Sequence, residues 1–306
     1  MGCSSYSSDV YKTISSGHAT KSRATIFVNK GLCKEMDPNG LVVRECRDSA
    51  NHPTSLPIII GLDETGSMGS IPEQLCKGKL GTFIETMMGH KVQDPAVLFL
   101  GIGDHHSDNA PLQVGQFESG AVELNHWLTN VYLEGNGGGQ CMESYLLAWL
   151  IAGRHTSTDH LEKRGRKGYM FTIGDEKTWD NISADALETM MGYESAESVT
   201  AEQLLAEAQR SYEVFHIHIN STGYRDSKEV IGSWKRLLGE RAIILDDHEI
   251  VAELIASTIS LMEGANLKAI TDGFDKDTAG KIEHALVAVK PGAVMAGDAV
   301  NGIAKL

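Results

Sequence analysis

The chain has 306 residues, 42% of them hydrophobic and 22% charged, a length and balance that suit one large globular α/β domain with appendages. A net charge of −14 argues against nucleic-acid phosphate as the main partner, because non-specific affinity for it comes from Lys and Arg displacing counterions. Five cysteines, odd in number and without the spacing of a disulfide framework or zinc knuckle, suit a reducing compartment, and a cytoplasmic or virion-associated location is expected.

Residues 1–55 are rich in Ser, Lys and Arg. The N-terminus is polar through Ser22 and reads as no signal peptide, and Tyr6 stands where a myristoylation signal wants Ser or Thr. Short strands are expected at 24–28 and 41–43, in an arm lying on or extending the main sheet. At 56–62 the run Leu-Pro-Ile-Ile-Ile-Gly-Leu has no alternation, which predicts a strand buried on both faces and hence a parallel sheet. Asp63-Glu64-Thr65-Gly66-Ser67-Met68 follows and leads through Gly66 and Gly69 into a helix over 71–88.

A second buried strand is expected at 96–102, then a polar loop at 103–109. Residues 112–117 alternate and predict an antiparallel edge strand. Helices at 121–132 and 142–152 flank the glycine-rich loop 134–140, and a strand at 168–173 ends in Gly174-Asp175-Glu176. A helical region over 183–212 restarts at a capping box, Thr200-x-x-Gln203. Strands at 214–219 and 242–245 alternate with helices at 228–238 and 248–262. This rhythm predicts βαβ units wound around a mostly parallel sheet with helices on both faces, a doubly wound, Rossmann-like α/β fold. The expected division is an arm (1–55), the α/β domain (56–262) and a tail (263–306) with one helix over 277–289. No segment has the apolar length of a membrane span.

In such a sheet, loops distant in sequence meet at the strands' carboxyl edge, where ligands bind. Three loops here carry oxygen donors to that edge: 63–67, 136–143 and 175–176. Asp63, Thr65 and Ser67, at i, i+2 and i+4, offer one ionised and two neutral oxygens and no soft donor, a set suited to Mg²⁺ or Mn²⁺ before Zn²⁺. An N-cap followed by a turn is the plainer reading of these residues; the strand before them and the other loops favour the cation.

These residues resemble the von Willebrand factor type A domain and its metal-ion-dependent adhesion site over roughly 56–262. Asp63-x-Thr65-Gly66-Ser67-Met68 matches the first element of that site, and Thr172-Ile173-Gly174-Asp175 resembles the third, whose Asp usually reaches the metal through water. The second element departs from the family: one branch has glycines, Asp, any residue, Pro, Glu, where this chain has Gly137-Gly138-Gly139-Gln140-Cys141-Met142-Glu143. Gln140 and Glu143 are the candidates for that position. Glu64, Asp104, His105, Asn136 and Glu176 are expected at the partner-binding rim.

The resemblance implies a Mg²⁺ (or Mn²⁺) site completed by an Asp or Glu from a protein partner. It implies no enzyme, with homo- or hetero-oligomers allowed, while the net charge and the lack of an apolar span lead to an expectation of no nucleic acid and no membrane. Intracellular members serve as assembly factors and as adaptors for AAA+ ATPases. The alternative is a structural or assembly component of a virion or large particle with the domain as scaffold, suggested by the arm and tail. A Mg²⁺-dependent hydrolase ranks third, since no general base has an obvious placement, and neither a nucleophile elbow nor a phosphate loop is present. Four further features have plainer readings. His216-x-His218 reads as a core pair on a buried strand, and His105-His106 as a solvated loop. The run 163–167, Lys-Arg-Gly-Arg-Lys, reads as a charged turn. Asp275-x-Asp277 lacks the ligands of a calcium loop.

Overall fold

Six apolar runs form the central sheet: β1 (Leu56–Asp63), β2 (Pro95–Ile102), β3 (Leu112–Val114), β4 (Gly168–Gly174), β5 (Tyr212–Ile219) and β6 (Ala242–Leu245). This computed structural model describes residues 4–64, 66, 68–135, 141–192 and 197–290. The strand order is β6-β5-β4-β1-β2-β3. Every neighbouring pair is parallel except β2 with β3, so the expected antiparallel edge is present. From β1 the chain winds outward through β2 to β3, then crosses to β4 and winds the other way. The order reverses between β1 and β4, the kind of switch point beside which open α/β sheets place their ligands.

The pleat divides each strand between two cores. Ile58, Ile60, Leu62, Phe99, Phe171, Ile173, Phe215 and Ile217 face one side. There they meet α2 (Leu80–Gly89), α3 (Ala121–Asn130), α8 (Val251–Met262) and α9 (Lys276–Leu286). Ile59, Leu98, Leu100, Met170 and Val214 face the other side. Their partners are α4 (Tyr145–Arg154), α5 (Ala184–Met191), α6 (Ala201–Ser211) and α7 (Lys228–Leu238). α4 is buried from Tyr145 to Ala152 without a break, because α6 packs over its outer side. Each fully buried Leu or Ile there contributes about 1.5–3 kcal/mol.

Boundaries shift where loops pair. α4 starts at Tyr145 rather than 142, because Met142 and Glu143 form a parallel ladder with Lys177 and Thr178. The helical region expected over 183–212 restarts at the Thr200 capping box as read, and before it Val199–Thr200 pairs antiparallel with Asn181–Ile182. The expected 71–88 helix is interrupted by a wide turn, Leu75–Lys79, in which Gly78 leaves helical backbone.

The arm corrects two expectations. Residues 24–28 form no strand: Arg23–Ile26 is a short helix that buries Ile26 and Phe27 against the first core. The strand expected at 41–43 lies three residues later, at Arg44–Cys46, paired with Thr156–Thr158 in a separate ribbon. The arm therefore lies on the domain without extending the main sheet. Its first helix, α1 (Ser8–His18), buries Tyr11, whose hydroxyl donates to the Leu75 carbonyl at 2.7 Å. Gly81 on α2 leaves room for that ring, since a Cβ there would lie 2.5 Å from it. Cys33, Cys46, Cys76 and Cys141 are free. Among the described residues, no helix is long and apolar enough to cross a membrane.

Candidate metal centre

Asp63 is the last residue of β1 and is 1% exposed. It lies on the strand face that carries Ile59 and Gly61, so its side chain turns toward α4. There the Tyr145 hydroxyl donates to Asp63 Oδ2 at 2.6 Å. Across the switch point, β4 ends at Gly174, and Asp175 beyond it is 2% exposed. Gly174 is required at this place: a Cβ would stand 1.8 Å from the Tyr145 hydroxyl oxygen and 2.6 Å from Asp63 Oδ2.

The three loops meet. Gly135 N–H donates to the Glu64 carbonyl, and Gly66 approaches Gly135 so closely that a Cβ would lie 3.1 Å from its carbonyl oxygen. Ser144 N–H donates to the Gly103 carbonyl, and Trp179 N–H to the Glu143 carbonyl.

Glu143 arrives on the ladder between the second and third loops and is 1% exposed. Its Oε2 has no hydrogen-bond partner among the described residues. Burial, then repulsion from Asp63, Glu176, Asp108 and Asp104, pushes this carboxyl up to about 11. Tyr145 stands among the same charges: burial first, then Asp63, Asp175 and Glu143, raises its phenol far above the ordinary range. A buried carboxyl surrounded by like charge is stabilised by a cation, which reverses the sign of the local potential.

The expected rim residues divide. Glu64 is 2% exposed and turned inward, where Gln113 Nε2 donates to its Oε2 at 2.6 Å. Burial raises its pKa well above normal despite that bond. Asp104 is also buried and organises its own loop, accepting from His106 N–H, Ser107 Oγ and Trp179 Nε1. His105 packs against Ser144, whose Oγ accepts from the His105 amide and lies 2.7 Å from Nδ1. Burial and then His106 lower its imidazole to about 4. Glu176 is half-buried and raised by burial, with the Tyr224 hydroxyl bonded to it. Thr65, Ser67, Asn136 and Gln140 lie outside the described residues.

Among the described residues, no three His, Cys, Asp or Glu side chains are arranged to hold a metal ion. Mg²⁺ does not require such a cage; it takes one or two carboxylates and fills its shell with neutral oxygens and water. The orphaned Glu143 oxygen beside Asp63 fits a hard cation, and the donor set contains no soft atom.

Sequence reasoning passed over Tyr145, the first residue of α4 and the one phenol in its apolar run. No local signal marked it, because the helix was expected to open at 142. Among the plainer readings, the solvated loop is corrected for His105, whose side chain is buried against Ser144 and Trp179. Arg164 pairs with Asp48 at 2.8 Å, Lys163 with Asp159 at 2.7 Å and Arg166 with Glu263 at 2.6 Å, so this basic run is a charged turn. His216 and His218 are buried on β5, with His216 stacked on Trp234.

The strand order, the single antiparallel edge and the helices on both faces define an open, doubly wound α/β domain. No family model and no curated protein matches the chain. Among solved structures it is similar to the vWF domain of the type V pili tip protein Mfa5 from Porphyromonas gingivalis, with 12% identity, TM-score 0.44, and coverage of 70% of this chain and 97% of that one. It is also similar to the pilus adhesin SpaC from Lactobacillus rhamnosus GG in its open conformation, with 9% identity, TM-score 0.44, and coverage of 75% and 31%. A third is proximal thread matrix protein 1 from the mussel byssus, with 8% identity, TM-score 0.42, and coverage of 70% and 48%. The chain spans about a third of SpaC and about half of the byssus protein. These are likenesses of fold alone.

Proposed function

We propose that the chain is a non-catalytic, cation-dependent protein-binding module that holds Mg²⁺ (or Mn²⁺) at the sheet's switch point and captures an Asp or Glu carboxylate of a partner protein. The observation behind this reading is the buried Glu143 oxygen that has no donor among the described residues and feels the charges of Asp63 and Glu176 at the sheet edge. In this reading Asp63, Thr65 and Ser67 bind the ion, Asp175 supports it, and Glu143 or Gln140 stands for the missing second element. When bound, the ion supplies an open coordination position for the partner's oxygen. The chain's part is to fix the carboxylates that hold it.

Use as an intracellular adaptor or assembly factor, including for an AAA+ ATPase, belongs to this proposal. So does the absence of catalysis. The Ser144–His105 contact resembles a nucleophile–base pair, yet Ser144 is fully buried and also accepts the His105 amide, so it braces a loop. The test is a peptide array of Asp- and Glu-containing sequences probed with the full chain. Capture is expected in Mg²⁺ and lost in EDTA or with Asp63→Ala; capture unchanged by both would refute the proposal. The scaffold alternative rests on the arm and tail. It predicts a defined oligomer of the full chain in light scattering, indifferent to EDTA, and a monomer would end it.

A further inference from the structure

We infer that Tyr145 is the positioning residue for the Asp63 carboxylate, its hydroxyl fixing the orientation in which that carboxylate meets a cation. The inference rests on the metal-binding reading above and names a residue outside the matched motif.

The contact is short, 2.6 Å from hydroxyl oxygen to Oδ2, and both side chains are buried. A charge-assisted O–H···O⁻ bond of this length is about twice as strong as a neutral one. The ring is held on its other sides. It meets His216 edge-on at 5.2 Å and Trp234 edge-on at 5.3 Å. Those two rings stack on each other at 3.5 Å and 8°, and His216 Nδ1 lies 2.9 Å from Thr172 Oγ1. The phenol therefore has one place to stand, and Gly174 keeps that place open. With Oδ2 accepting that hydrogen bond, the rotation of the carboxylate is restrained, which suits the narrow geometric demand of Mg²⁺. Hydrogen-bond partners of metal-ligating side chains typically alter metal affinity or activity 10–100-fold.

The experiment titrates Mn²⁺ into the full chain by electron paramagnetic resonance, with thermal melting of the metal-free protein alongside. Wild type is expected to bind one Mn²⁺ and Asp63→Ala none. Tyr145→Phe should bind about 10–100-fold more weakly while its metal-free melting point stays within a few degrees of wild type. Equal Mn²⁺ affinity for Tyr145→Phe and wild type would overturn the inference and leave the metal reading intact. Failure of wild type to bind would overturn both. Should Tyr145→Phe not fold, 3-fluorotyrosine at position 145 keeps the hydroxyl and reads the contact directly. Its ¹⁹F resonance should move on addition of Mg²⁺ and stay fixed in Asp63→Ala; a resonance unmoved by Mg²⁺ that binds would refute the role.

Discussion

Gly174→Ala is the sharpest structural perturbation available. The added Cβ would stand 1.8 Å from the Tyr145 hydroxyl oxygen, 2.7 Å from Cζ and 2.6 Å from Asp63 Oδ2. None of these atoms is the end of a flexible chain, and the Tyr145 ring is backed by His216 and Trp234. Relief means displacing the ring, at about 1–3 kcal/mol for an overpacked core, and losing a hydrogen bond to a charged group, about 1.5–3 kcal/mol. The expected loss is therefore about 2.5–6 kcal/mol, read as a lower urea midpoint at unchanged slope. In a Tyr145→Phe background the nearest obstacle is gone, so the same substitution should cost at least about 1 kcal/mol less, a coupling typical of residues in contact. A Gly174→Ala protein unfolding at the wild-type midpoint, or costs that simply add, would refute this account of the site.

Three further outcomes are expected. His105, His160 and His218 are held at about 4, and His216 well below its ordinary value, all by burial first. The unfolded chain binds these protons near pH 6.5, so stability is full above that pH and falls as pH drops toward 4. On the order of 1–2 kcal/mol per histidine should be gone by pH 5, and a urea-derived stability that is flat from pH 7 to 5 would contradict it. Lys79→Met should cost about 3 kcal/mol, because Glu253 on α8 is 6% exposed and loses its 2.5 Å partner. Adding Glu253→Leu should recover most of that loss, and a double variant as unstable as the single would count against it. Mg²⁺ at a hundredfold its Kd should raise stability by about 2.7 kcal/mol in wild type and not in Asp63→Ala. Identical melting shifts in the two proteins would remove Asp63 from the metal site.

The sheet was legible because its strands are covered on both faces and must be written as unbroken apolar runs; 56–62 and 96–102 admit little else. Asp63 and Asp175 were legible for the same reason, since a strand's end fixes where its next residue stands. The arm was not. Ile26 and Phe27 look like a strand in isolation, but they anchor a short helix to a core formed by residues far along the chain. Glu64 and Asp104 were expected at the rim from the family resemblance alone. Here Gln113 and Trp179, from other elements, draw them inward. Tyr145 escaped because its role depends on Gly174, a contact between a helix start and a strand end that no local pattern encodes.

Tyr11 shows that the leading segment cannot be cut away as an ornament. The Leu75 carbonyl already accepts the Leu80 N–H across the wide turn, and the Tyr11 hydroxyl takes up its remaining capacity. Tyr11, Ile26 and Phe27 fill the same core as α2 and α8. A fragment starting at the first sheet strand would bare that greasy seam to water on the flank of the helix that follows the Asp63 loop. Expression boundaries belong ahead of Ser8, and a shorter fragment that aggregates would say nothing about the ion.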